Sequence, residues 1–150
     1  MHAFDIARLA SGIQVRFARE GEQLTLLYER EITLDAETLV MADHEKALAI
    51  AGIMGGIDSG VQDDTRDIFL ECAFVPPEII AGRARTYGMH TDSAYRFERG
   101  VDPDLQQRAM ERATTLLLEI AGGQAGPVTA VTHTEHLPQS VPITLRSDRI

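Results

Sequence analysis

The sequence predicts an α+β fold in which layered mixed or antiparallel sheets pack against helices. Three observations lead there. Short apolar runs crowd the first half at close spacing, a single strong helical stripe occupies residues 103–121, and alternating residues return after it. Strands first, helices next and strands last do not make the regular alternation of a βαβ fold.

Taken in order, residues 13–17 (Ile-Gln-Val-Arg-Phe) alternate apolar and polar, the period of a half-buried strand. Glu20, Gly21 and Glu22 supply a turn, and residues 24–28 resume the extended pattern. Residues 32–34, 39–41 and 47–50 are further short apolar runs, and residues 67–74 form a strand rich in sheet-favouring side chains. Pro76 and Pro77 open a helical segment carrying Ile79, Ile80 and Ala84. A short helix follows Thr91 and ends near Phe97. Asp102 has the chemistry of an N-cap and Pro103 that of a first helical residue. Leu105, Ala109, Leu116, Leu117 and Ile120 then share one face, and Gly122 and Gly123 end the helix. Residues 128–132 and 141–145 return to strand.

A length of 150 residues suits one domain, and 44% hydrophobic with 25% charged residues is ordinary for a globular chain. No apolar run reaches the roughly 18 residues of a membrane span, and no signal-like segment opens the chain. The single Cys72 forms no internal disulfide, which fits a reducing cytoplasm. The net charge of −9 opposes a general nucleic-acid binder, DNA included. Its distribution is uneven, however: acids gather over residues 58–67, whereas Arg83, Arg85, Arg96 and Arg99 fall in one short region.

Four groups of residues have the chemistry of a site. Gly52, Gly55 and Gly56 let backbone approach a ligand, and successive N–H groups in such a loop can receive an anion or an oxyanion; the same glycines also suit a plain turn. Glu71 shares its strand face with Phe69 and Ala73, where a carboxylate requires a donor. Thr91 and Ser93 stand where hydroxyls cap a helix. The guanidinium groups suit phosphate, or pairing within the chain; Tyr95 and Phe97 read as core. His133 and His136 lack a third metal ligand, the acids near Asp58 lack calcium-loop spacing, and no phosphate loop or nucleophile elbow is present.

These motifs, together with Met1-His2-Ala3-Phe4-Asp5, Leu70-Glu71-Cys72-Ala73-Phe74 and the run from Thr91 to Pro103, resemble the editing domain of the bacterial phenylalanyl-tRNA synthetase β subunit over nearly the whole chain. The resemblance implies one editing domain over residues 1–150, cut from a longer subunit and acting in the cytoplasm on the ester of tyrosine mischarged to the phenylalanine tRNA. It implies a pocket lined by the glycine loop, with Glu71 accepting the tyrosine phenol, His2 and Thr91 ordering water and the ribose end, and backbone at Gly55 and Gly56 meeting the oxyanion. Ser93 stands where the family pattern has a small residue, often alanine. Arg83 and Arg85 are the expected RNA contacts. No cofactor or metal is expected in this domain, ATP and Mg serving only the intact synthetase. The partners are the aminoacylated tRNA 3′ end, the α subunit and the remaining β-subunit domains. A non-catalytic tRNA-contacting or subunit-interface module remains the alternative.

Overall fold

The computed structural model describes residues 1–139 and 141–149. Its strands pair only antiparallel among the described residues, in three small sheets. One joins β1 (His2–Asp5) to β8 (Ile68–Glu71). The largest runs in the order β2 (Gln14–Phe17), β5 (Leu39–Ala42), β6 (Ala47–Ile50) and β7 (Met54–Gly55). The third pairs β3 (Gln23–Thr25) with β4 (Glu31–Thr33). An isolated bridge from Leu26 to Gly56 links the β3–β4 pair to the largest sheet, and another joins Phe4 of β1 to Gly60.

The local reasons are visible in the sequence. β6 reads Ala-Leu-Ala-Ile without alternation because all four residues are buried. β2 is an edge strand whose burial reverses the half-buried pattern foreseen: Val15 and Phe17 are more than half exposed, while Arg16, paired with Glu22, is the more sheltered side chain. The strand foreseen over residues 24–28 stops at Thr25: Leu26 turns to bridge Gly56, and Glu29 takes the left-handed conformation with φ 62°. The strand foreseen over residues 67–74 forms only as β8, because its partner β1 is four residues long.

Helices α1 (Pro77–Ile80), α2 (Arg83–Thr86) and α3 (Asp92–Glu98) lay Ile80, Ala84, Ala94 and Phe97 into the same core as Val40, Leu48 and Ile50. Tyr87 joins that core, its hydroxyl bonding Thr38 and accepting from the Asp35 N–H.

Two expectations about the C-terminal part are corrected. Helix α4 (Gln106–Ala121) starts three residues later than foreseen. Asp102 caps a preceding turn instead, its Oδ1 accepting from the Asp104 N–H at 2.9 Å. The Gly122 N–H closes the helix on Leu118 O at 3.0 Å with φ 72°. The apolar stripe is present, yet no residue of α4 is buried. The returning strands do not form: residues 128–132 and 141–145 have no ladder partner, and Val131 and Ile143 are 87% and 92% exposed. Alternation alone does not make a strand without an edge to pair with, and Pro142 removes a donor inside the second segment.

Candidate active site

The residues singled out in the sequence are delivered by four elements. β1 carries His2, β8 carries Glu71, β7 carries Gly55, and the start of α3 carries Thr91 and Ser93. The antiparallel register sets His2 directly opposite Glu71, so both side chains project from one face of the two-stranded sheet. On that face the imidazole lies against the Gly55 α-carbon, where an added Cβ would overlap His2 Cε1.

β1 is held in place by Asp5. Its carboxyl accepts from the Thr65 hydroxyl at 2.8 Å and from the Ala7 N–H at 3.0 Å, while its own N–H donates to Ser59 O at 2.9 Å. The Thr65 bond keeps this carboxyl below the usual carboxylate range. Two residues after His2, on the same face, Phe4 is fully buried and its ring lies 4.4 Å from the imidazole, tilted by 59°. Phe4, Asp5 and Thr65 are supporting residues that the sequence reading did not pick out; the period-two position of Phe4 relative to His2 is the signal that finds it.

Burial lowers the His2 pKa, with the Met1 amino charge acting in the same direction. Burial also raises the Glu71 carboxyl, opposed by the Met1 charge and the Ala73 backbone. His2 Nε2 is buried and has no hydrogen-bond partner among the described residues. The face therefore presents a neutral imidazole with an unanswered nitrogen beside a carboxyl that ionises reluctantly.

Thr91 and Ser93 shape the adjoining loop rather than reaching into open space. The Thr91 hydroxyl donates to Ile53 O at 3.0 Å and accepts from the Ala94 N–H, so one oxygen both clamps the loop and caps α3. Ser93 Oγ donates to Gly52 O at 2.7 Å. The two glycines divide in role. Gly55 faces His2, and its carbonyl accepts from the Leu27 N–H. Gly56 faces the other way and lines a separate hollow of about 160 Å³ with Lys46, Asp58 and Ser59; its N–H is taken by Leu48 O at 2.7 Å. That bond withdraws Gly56 from the oxyanion-donor role foreseen for it.

The arginines separate similarly. Arg83 Nη2 donates to Glu37 at 2.6 Å and Nη1 lies 3.7 Å from Asp35, a pairing that raises its pKa and lines a hollow of about 360 Å³ sharing no residue with the His2 face. Its charge is answered within the chain. Arg85 is exposed and has no carboxylate partner among the described residues. Tyr95, foreseen as core, is 59% exposed, whereas Phe97 is in the core. Among the described residues no three His, Cys, Asp or Glu side chains group as metal ligands, and no helix is long and apolar enough to cross a membrane.

The sequence of residues 1–122 matches the B3/4 domain family. The chain belongs to that family. Across all 150 residues it is 61% identical to the phenylalanine–tRNA ligase beta subunit of Nitrosococcus oceani, 60% to that of Methylococcus capsulatus and 59% to that of Pseudomonas savastanoi pv. phaseolicola. In each case all of this chain is covered but only 19% of the relative, so the chain spans about a fifth of these subunits. The B3/4 match takes in β1 through α4, and with them His2, Gly55, Glu71, Thr91 and Ser93.

Proposed function

We propose that this B3/4 domain is a proofreading site of a phenylalanine–tRNA ligase, hydrolysing the ester of tyrosine wrongly joined to the phenylalanine tRNA. The observation carrying this reading is the His2–Glu71 register across Gly55, which converges an imidazole, a carboxyl and bare backbone on one face. Glu71 is the specificity residue: it accepts the tyrosine phenol, whereas phenylalanine leaves a half-buried acceptor unpaired. A synthetic pocket shaped for phenylalanine rejects one extra hydroxyl only about 100-fold, while a site built to bond that hydroxyl discriminates by roughly 10⁴ or more.

Nε2 is buried in the resting structure, so His2 orders the attacking water and accepts its proton once the ring turns to expose that nitrogen. The water oxygen bonds to the ester carbonyl carbon, the carbon–oxygen bond to the ribose breaks, and the ribose oxygen leaves with a proton. Free tyrosine and uncharged tRNA result. Because the imidazole fills the space over Gly55, the substrate lies beside the ring. Thr91 holds the loop that leads into Gly55. Arg85 is the RNA contact of choice, since the charge of Arg83 is already paired.

The test is deacylation of preformed tyrosyl- and phenylalanyl-tRNA by the chain, and by a full-length β subunit with its α subunit. Preferential loss of the tyrosyl ester is expected, with Glu71→Ala reducing that preference at least tenfold. An unchanged preference in Glu71→Ala would sink the reading. A non-catalytic interface module has one observation in its favour, the uncovered stripe of α4; hydrolysis by neither preparation would select it.

A further inference from the structure

We infer that Tyr95 and Arg99 form a stacking platform for an unpaired nucleobase at an RNA 3′ end. The inference rests on the reading that such an end reaches the His2 face, and it adds a subsite outside the ester-binding residues. Helix α3 has two distinct sides. Ala94 and Phe97 enter the core and Ser93 bonds Gly52, whereas Tyr95, Arg96 and Arg99 stand exposed. Tyr95, at 59%, is the most exposed Phe or Tyr among the described residues.

The exposed ring is already organised. The Arg99 guanidinium carbon sits 3.5 Å from its centroid, and Arg99 Nη1 donates to Tyr95 O at 3.1 Å. One ring face thus carries a fixed cation while the rest of the ring meets solvent. Aromatic faces and arginine planes are the surfaces on which unstacked bases settle, because every base offers a π-face. Charge favours the same ligand. Arg96 and Arg99 have no carboxylate partner among the described residues. Of the acids on α3, Glu98 is engaged by the Gly82 N–H, leaving Asp92 in the first turn.

Position completes the argument. The Tyr95 N–H donates to Thr91 O at 3.0 Å, so Tyr95 stands one helical turn, about 5.4 Å, from the residue that clamps the site's loop. A strand whose terminal ester reaches the His2 face would then pass the helix that fastens the neighbouring loop.

The test titrates the 150-residue chain into a fluorescently labelled single-stranded RNA ending in CCA, with the same sequence as a duplex for comparison. Binding of the single strand in preference to the duplex is expected. Tyr95→Phe should stay within about twofold and Tyr95→Leu should weaken binding at least fivefold. Arg99→Gln should lower the salt dependence. Circular dichroism confirms that each variant is folded. Equal affinity for wild type and Tyr95→Leu, or no binding by wild type, overturns the platform. Tyr95-dependent binding without ester hydrolysis leaves the platform standing and removes the proofreading reading. Selective hydrolysis with Tyr95-independent binding does the reverse.

Discussion

The imidazole of His2 occupies the space that a β-carbon on Gly55 would fill, so residues 53 positions apart are in direct contact without a hydrogen bond between them. Gly55→Ala should therefore push the ring aside at little expense in stability, because a side-chain end can yield, and should abolish selective hydrolysis. Gly56→Ala brings a Cβ to 2.5 Å from Leu48 O, a backbone atom that cannot yield. It should destabilise the fold by about 1–3 kcal/mol. Thermal melts beside deacylation assays check both; equal effects on stability would break the division of roles between the two glycines.

The pH dependence follows from His2. Its pKa lies below the 6.5 of a free imidazole, chiefly through burial, so the ring stays neutral through neutral pH and protonates only in more acid solution. Hydrolysis should have an acid limb below pH 6.5, and His2→Gln should remove it. The stability sign is fixed too: below 6.5 the unfolded chain binds a proton that the folded one resists, so this group destabilises the fold as pH falls. A pH–rate profile whose acid limb sits above 6.5 would assign the proton acceptor elsewhere.

Glu22 links three parts of the sheet. Its carboxyl takes two bonds from Arg16 at 2.7 and 2.8 Å, one from the Arg19 N–H and one from the Ala47 N–H. These hold its pKa at about 2 instead of 4.5, a contribution of ~3 kcal/mol that is present above pH 4.5 and lost as pH falls toward 2. Glu22→Gln should remove most of that stability at pH 7 and flatten the acid denaturation curve, as read by urea titrations across the range.

Helix α4 buries none of its residues, and an isolated helix of this length is marginal in water. Its amides should exchange with solvent orders of magnitude faster than those of β5 and β6, which lie in the core. Hydrogen-exchange mass spectrometry on the whole chain resolves this directly; slow exchange over residues 106–121 would mean that something covers the stripe.

Much of the central sheet was legible in the sequence: β5 and β6 fall where continuous apolar runs report burial, and β2 falls where alternation places a strand, although its apolar residues face outward. β7, two residues long, shows no period, and β1 does not read as a strand because His-Ala-Phe-Asp carries a single large apolar side chain. The pairing of His2 with Glu71 spans 69 positions, and no local pattern contains it; only the family resemblance named both residues together. Tyr95 misled because an aromatic beside Ala94 and Phe97 reads as core, while the turn of α3 carries it to the opposite side. The C-terminal strands misled because period two records a capacity to pair, and the partner edge is absent among the described residues.

The loop facing His2 is fastened by Thr91 and Ser93 through hydroxyl-to-carbonyl bonds, neither of which carries a formal charge. Dissolved ions that strip phosphates from arginines leave such bonds untouched. Potassium chloride thus becomes a scalpel: raising it releases nucleic acid while the loop beside His2 keeps its shape, and a small tyrosine ester lacking phosphates should report on the His2 face alone.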